Sequence, residues 1–250
     1  MGELAARRIL VTGAATGIGA AAVAVLSEAG GQVVATYHNT PPPPELAHAQ
    51  WRRCDVTDPD SVAATFRAAR DILGGIDVLV HAAGAWTPGI PGRLTVDDLR
   101  QALDTNFVST VLTNQAAYEA MRDNGGRIIN FGSGEAVMGS PISAAYAAAK
   151  SAVAAWTRSA AKAWAAQKIT VNALAPAVET PGAARLREFL GPEALPFLEQ
   201  QLQLTLPLGG KLGDPVDDVG PVLVFLAGSG ADFITGQLLA VDGGLVMLGA

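Results

Sequence analysis

The chain has 250 residues, half of them hydrophobic, a formal net charge of −6 and a single cysteine, Cys54. That length is ample for one sizeable core; the charge and the lack of a basic cluster argue against a nucleic-acid surface. One cysteine allows no intrachain disulfide, as suits a reducing cytoplasm, and no apolar run is long enough to span a membrane. Arg7 and Arg8 precede an apolar stretch, but Thr12, Gly13, Thr16, Gly17 and Gly19 interrupt it, unlike a signal-peptide core. No His, Cys, Asp or Glu group has metal-ligand spacing.

Short β-rich runs alternate with longer helical ones. The first predicted strand is Arg8–Thr12, followed by TGAATGIG over residues 12–19 and a helix over Ile18–Ala29. Gly13, Gly17 and Gly19 permit a tight turn and a close backbone approach, and the amides that open the helix would face a pyrophosphate. A Gly-rich turn that only lets helix pack on sheet is the plainer alternative. The strand before it and the helix after it supply the context a dinucleotide cradle requires.

The second strand, Gln32–Tyr37, ends in Tyr37-His38-Asn39-Thr40 with no carboxylate. An Asp there would accept from an adenosine 2′-hydroxyl and repel a 2′-phosphate. His38, Asn39 and Thr40 can instead donate to a phosphate, which favours NADP(H) over NAD(H). Four prolines, Pro41–Pro44, then forbid a helix interior and read as a stiff surface crossover rather than a partner motif.

The strand Trp51–Cys54 leads through Asp58, a helix cap, into a helix over Pro59–Leu73. The strand Val78–Ala82 carries His81, read as a packed strand-end histidine rather than a catalyst. Further on come a helix over Val96–Met121, a strand Arg127–Phe131, a helix Ala144–Ala166, a strand Thr170–Ala173, a helix Pro215–Leu226 and a strand Leu238–Val241. This alternation, without internal repeat or linker, predicts a single-domain, doubly wound, parallel seven-stranded α/β sheet with helices on both faces.

The Ala-rich helix holds Tyr146 and Lys150, four residues apart and so on one face. A phenol ionises near pH ~10, and a neighbouring cation would draw that value toward neutrality. Ser133, thirteen residues upstream, could hold an oxygen opposite the phenol. The chemistry suggested is proton transfer to or from a carbonyl or alcohol oxygen. A surface lysine beside a half-buried tyrosine is the plain alternative for these two residues alone.

TGAATGIG, Asn106 in DTNFVST, Ser133, Tyr146 with Lys150, and TGQLLAVDGG over Thr235–Gly244 together resemble the compact short-chain dehydrogenase/reductase family, across nearly the whole chain. The resemblance implies a Rossmann-type domain in which Tyr146 is the general acid or base. Lys150 lowers its pKa and holds the nicotinamide ribose, Ser133 orients the substrate oxygen, and Asn106 holds a water in a proton relay. A packing amide is the alternative for Asn106. Ser140 and Ser143 read as loop and helix-start residues.

The resemblance also implies a cofactor site. Gly13, Thr16, Gly17, Ile18 and Gly19 would form the phosphate turn, although Thr16 stands where many NADP-dependent relatives carry Arg or Lys. Asp55 and Val56 match the adenine contact. His81-Ala82-Ala83-Gly84 stands where the family usually has NNAG; Ala83 and Gly84 fit, and His81 and Ala82 depart. Pro176–Ala177 replaces the usual PG, which leaves Val178 and Thr180 as candidates for the carboxamide end with a one-residue slip open.

Substrate contacts are expected from 85–92, 134–141 and a lid over 178–210, with Trp86 as an aromatic wall. The lid's spaced apolar residues, Leu186, Phe189, Leu190, Leu195, Phe197, Leu198, Leu202, Leu204 and Leu206, form an amphipathic cover, and packing on the body explains most of them equally well. Glu135 either binds a cationic or hydroxylated substrate or points to solvent, surface carboxylates being the commoner case. A homotetramer through Val96–Met121 and Ala144–Ala166, with the apolar end Leu245–Ala250 meeting another subunit, is the implied assembly. The intact glycine turn and Lys150 argue against a cofactor-free dehalogenase, and the complete Ser/Tyr/Lys set argues against a nucleotide sensor. Oxidation of a dihydrodiol or cyclic alcohol, or imine reduction, stays open, because fold does not choose substrate.

Overall fold

The computed structural model describes residues 2–247, so the end of the predicted Leu245–Ala250 contact lies outside the described residues. Seven strands, β1 (Arg8–Thr12), β2 (Gln32–Tyr37), β3 (Gln50–Arg53), β4 (Val78–His81), β5 (Gly126–Phe131), β6 (Ile169–Pro176) and β7 (Leu238–Val241), build one sheet. Their order is β3-β2-β1-β4-β5-β6-β7, and every neighbouring pair runs parallel. Successive crossovers therefore step away from β1 in one direction and from β4 in the other. The carboxyl ends of those two strands flank the crevice where doubly wound sheets bind ligands.

Alternate residues of each strand feed opposite layers, as the two-residue period of a strand requires. Ile9, Val11, Val33, Ala35, Val80, Ile129 and Leu174 pack on one face with α1 (Gly17–Glu28) and α9 (Gly220–Ala227). Leu10, Val34, Leu79, Ile128 and Val171 pack on the other with α2 (Pro59–Leu73), α4 (Ser109–Met121) and α6 (Ala144–Trp164). Burial on both faces explains why these strands read as apolar runs without polar alternation.

Local chemistry sets the element ends. The Asp58 carboxylate accepts from Asp60 N–H at 3.0 Å and caps α2, whose first residue is Pro59; Gly74, at φ 75°, ends the helix in the left-handed region. The proline crossover is extended, with one short 3₁₀ turn at Pro44–Leu46, as expected.

The predicted helix Val96–Met121 is not continuous. A π-helical turn, Asp104–Val108, separates α3 (Val96–Leu103) from α4. The hydroxyls of Ser109 and Thr110 donate to the carbonyls of Thr105 and Asn106, at 2.7 and 2.8 Å, along this widened stretch. The predicted helix Pro215–Leu226 likewise opens with a π-turn, Pro215–Val219. Smaller departures are strand ends: β3 stops before Cys54, β4 before Ala82, and β6 runs on to Pro176 because it pairs with β7 as far as Val241.

His81 closes β4 and is buried, as expected of a packed histidine. Nδ1 lies 2.8 Å from Thr12 Oγ1 and 3.0 Å from Thr113 Oγ1, and Nε2 lies 3.4 Å from Ser109 Oγ. Burial, reinforced by the positive charge of Lys150, lowers its pKa to about 3. The folded protein thus keeps this ring neutral while the unfolded chain protonates it below about pH 6.5. Its contribution to stability is full above that pH and drains away as pH falls toward about 3. Urea unfolding should show wild type losing about 2 kcal/mol more than His81→Asn between pH 7 and pH 5; equal losses would contradict a buried neutral imidazole.

Candidate active site

The glycine turn lies at the carboxyl end of β1. Gly13 and Gly17 have φ of 63° and 54°, which side chains adopt rarely. A Cβ on Gly13 would lie 2.5 Å from Ala83 Cα, and one on Gly19 would lie 2.2 Å from Gly13 O. The turn is thus pressed against the Ala82-Ala83-Gly84 loop and against its own helix. Thr16 is the residue before α1, exposed, and its side chain caps nothing. The first amides of α1, at Ile18 and Gly19, are left without a side-chain acceptor, as an anion site needs.

At the end of β2, Tyr37 meets Trp51 edge-on at 6.4 Å, and His38, Asn39 and Thr40 are exposed. His38 Nε2 lies 3.7 Å from Asp55 Oδ2. Asp55 Oδ1 accepts from Thr57 N–H and Oγ–H at 2.9 and 2.7 Å; these bonds hold its carboxyl below the usual range, with His38 and Arg53 helping. Val56 is half-buried against the second core layer. Arg53 Nε donates to His38 O at 3.3 Å, which brings a cation to the strand end that sequence reading missed. Only the pairing of β2 with β3, Tyr37 opposite Arg53, reveals it.

The chemical centre joins four elements. Lys150 is buried on α6 and donates from Nζ to Phe131 O at 2.9 Å, with Nζ 5.8 Å from the centre of the Tyr146 ring. Burial lowers the Lys150 pKa to about 8. Asn106 sits in the π-turn, donating to Ala85 O at 3.0 Å and Ala102 O at 3.1 Å and accepting from Ala85 N–H at 3.0 Å. A Cβ on Gly84 would stand 2.9 Å from Asn106 Oδ1 and 3.3 Å from Lys150 Nζ. Asn106 and Lys150 thus crowd Gly84, and the Ser133 hydroxyl lies near enough to the Tyr146 phenol to favour its ionised form. Ser133 Oγ accepts from Glu135 N–H at 3.1 Å, which fixes the loop between β5 and the short helix α5 (Glu135–Met138).

The expected depression of the Tyr146 pKa is not found. Burial, then the negative charge of Glu135, push the phenol up; the nearby Ser133 hydroxyl and the positive charge of Arg185 oppose them. The ammonium is aimed at Phe131 O, so its charge does not offset the loss of water around the ring.

Glu135 also departs from its solvent-facing reading. It is half-buried, with Oε1 accepting from Trp86 Nε1–H at 3.2 Å and Oε2 accepting from the Ser143 hydroxyl. Burial raises its pKa. Ser143 does begin α6, but its hydroxyl serves Glu135 rather than capping the helix.

The segment after β6 meets the glycine turn. A Cβ on Gly17 would lie 3.0 Å from Pro181 and 3.7 Å from Thr180. Thr180 Oγ1 caps α7 (Pro181–Leu190), accepting from Ala183 N–H at 3.2 Å. Pro176 and Ala177 are half-buried. Ala177 O and Glu179 N–H bond to Gly213, so the N–H and C=O of buried Val178 point the other way. Of the lid's apolar residues only Leu206 is buried; Phe189, Phe197 and Leu204 are exposed and the rest half-buried. Most of the nine, on α7, on α8 (Leu195–Thr205) and just after it, are thus at least half-buried, as packing on the body predicts. Among the described residues no group of His, Cys, Asp and Glu could hold a metal ion, and no helix is long and apolar enough to cross a membrane.

A seven-stranded parallel sheet with this glycine turn and this Ser/Tyr/Lys centre belongs to one class of nucleotide-dependent fold. A family model described as enoyl-(acyl carrier protein) reductase matches residues 13–246. The 3-oxoacyl-(acyl-carrier-protein) reductase FabG of Vibrio cholerae is 33% identical over 96% of this chain and 97% of its own. A cis-4-hydroxycyclohexanecarboxylate dehydrogenase of Sinomonas cyclohexanicum is 38% identical over 98% of each. The solved ligand-free aldohexose dehydrogenase of Thermoplasma acidophilum superposes with a TM-score of 0.86 at 29% identity, over 97% of this chain and 94% of that one. The chain belongs to the short-chain dehydrogenase/reductase family.

The Glu135 charge opposes formation of the Tyr146 phenolate. In Glu135→Gln the phenol should ionise at lower pH. With Tyr146 as the base in alcohol oxidation, the acid limb of that pH profile should move to lower pH. An unmoved limb, or a shift to higher pH, would show that the carboxylate does not act on the phenol.

Proposed function

We propose that the protein interconverts a ketone and a secondary alcohol with NADP(H), using Tyr146 as the acid and base. The observation that carries this is the phenol near the Ser133 hydroxyl and beside buried Lys150, next to a Gly84 that a side chain would block. A bound nicotinamide supplies the hydride to the carbonyl carbon, or accepts it from the carbinol carbon in reverse. Ser133 orients the substrate oxygen. As the C=O pair moves onto that oxygen, Tyr146 releases its proton there. A raised phenol pKa suits this direction, because the proton stays in place until the alkoxide forms. Lys150 holds the ribose, and Asn106 holds a water that links Lys150 to solvent and returns the proton.

The cofactor cradle follows from the same geometry. The turn Gly13–Gly19 and the open end of α1 take the pyrophosphate; Asp55 and Val56 flank the adenine, and Ala82, Ala83 and Gly84 line the ribose side. Pro176, Val178 and Thr180 hold the carboxamide end, Val178 through its free backbone groups. His38, Asn39, Thr40 and the nearby Arg53 favour a 2′-phosphate. The segment 178–210 closes over the substrate as a lid of one domain, and exposed Val96, Leu99 and Leu103, at helical spacing along α3, support a homotetramer built on the α3–α4 and α6 faces.

Tyr146→Phe should lose turnover by about 10²- to 10⁴-fold while NADPH binding, followed by fluorescence, survives; near-wild-type turnover would refute the acid-base role. The specificity constant should be higher with NADPH than with NADH. Arg53→Ala should narrow that ratio by about tenfold, the worth of one charge-assisted hydrogen bond. A preference for NADH would overturn the 2′-phosphate reading.

A further inference from the structure

Trp86 is the hub of the substrate side. It is buried, and its indole N–H is committed to Glu135. Three residues on one face of α7 meet it, at the helical spacing of three and four. A Cβ on Gly182 would lie 3.4 Å from Trp86 Cβ, Arg185 Nε donates to Trp86 O at 3.3 Å, and the Phe189 ring meets the indole edge-on at 6.2 Å. Arg185 is therefore anchored toward the site by its Nε, although its side chain is open to solvent.

The two arginines of α7 are used differently. Arg187 points away and forks onto both carboxylate oxygens of Glu179. Arg185 forms no ion pair among the described residues, and Nε is the one guanidinium nitrogen with a hydrogen bond there. The nearby acid, Glu135, is occupied by Trp86 and Ser143 instead. The Arg185 charge nonetheless reaches Tyr146, where it favours the phenolate. A guanidinium held at one nitrogen and open at the terminal two presents the fork that matches a carboxylate.

We infer that Arg185 recognises a carboxylate on the substrate, so that the preferred substrate is a small oxo acid, or the matching hydroxy acid, rather than a neutral ketone. This rests on the ketone–alcohol reading above. The oxygen to be reduced lies at Ser133 and Tyr146, and the carboxylate lies toward α7. Trp86, bonded to Glu135 two residues after Ser133 and to Arg185 on α7, would face the part of the substrate between the two groups with an apolar ring, which suits a ring or short chain there. Glu135, bonded to neutral donors, leaves the arginine uncompensated until substrate arrives.

The test compares wild type, Arg185→Met and Arg185→Lys on a matched pair, 4-oxocyclohexanecarboxylate and 4-methylcyclohexanone, with NADPH. Wild type should prefer the acid. In Arg185→Met, KM for the acid should rise about tenfold to a hundredfold, as for loss of one or two charge-assisted bonds, with KM for the neutral ketone little changed; loss of the Arg185 charge near Tyr146 should alter kcat for both ketones by the same factor. The KM for the acid in Arg185→Lys should fall between. Equal effects on KM for the two ketones, or no effect on KM for either, would overturn the inference.

Calorimetry of cyclohexanecarboxylate in the presence of NADP⁺ gives a second readout that needs no turnover. Binding that weakens by the same factor in Arg185→Met supports the carboxylate site. If wild type bound the acid in this way yet reduced neither ketone, the ketone–alcohol reading would fall and the carboxylate site would stand. No binding to wild type would remove the site. A carrier thioester could offer a phosphate to the same cation. Should Arg185→Met raise KM for acetoacetyl-CoA and leave the oxo acid alone, the anion is that phosphate and the carboxylate assignment fails.

Discussion

A buried ammonium organises this molecule. Lys150 lies in the core side of α6 with its charge directed at Phe131 O, and its lowered pKa of about 8 records a desolvation cost of about 3 kcal/mol. Much around it follows from that charge. His81, held neutral first by its own burial, is pushed further that way by the ammonium, and a cage of three hydroxyls supplies its hydrogen bonds. Gly84 must lack a side chain, because a Cβ would touch both Asn106 and the ammonium. The π-turn in the long helix widens the backbone where Asn106 grips the Gly84–Ala85 loop.

The phenol beside that lysine is governed from the substrate side rather than from below. Glu135 and Arg185 act on Tyr146 with opposite sign, and both are bonded to Trp86. Trp86, through its indole N–H on one side and its main-chain carbonyl on the other, therefore couples the loop after β5 to α7. Thr180 and Pro181, which open α7, also touch the glycine turn at Gly17. The same short helix thus meets the glycine turn at its start and Trp86 along its length. Movement of α7 would change both contacts at once.

Much of this was legible in the chain. The apolar runs and TGAATGIG marked the sheet, its order of elements and the tight glycine turn, since a strand buried on both faces and a turn that needs positive φ each leave local patterns. Tyr146 and Lys150 were legible because helical spacing puts them together. What was not legible depended on three-dimensional burial or on pairing between distant segments. The π-turn adds one residue to a helical turn, and DTNFVST contains no Gly or Pro that would mark the break, so it read as continuous helix. Glu135 looked like a surface acid because nothing in GSGE shows that Trp86 and Ser143 will enclose it. The phenol's raised pKa escaped notice because adjacency to a lysine says nothing of where the ammonium points. Arg53 and Arg185 emerge only when β3 is laid beside β2 and α7 is laid on Trp86.

The central claim is that hydride moves to a carbonyl carbon at the site formed by Ser133, Tyr146 and Lys150. It is tested most directly by tracing the hydrogen. Reduction of a cyclohexanone with NADPH deuterated at the transferring C4 position, followed by mass spectrometry of the alcohol, should place one deuterium on the carbinol carbon, and Tyr146→Phe should form almost none of this product. An alcohol without deuterium, or labelled alcohol formed equally well by Tyr146→Phe, would contradict the account.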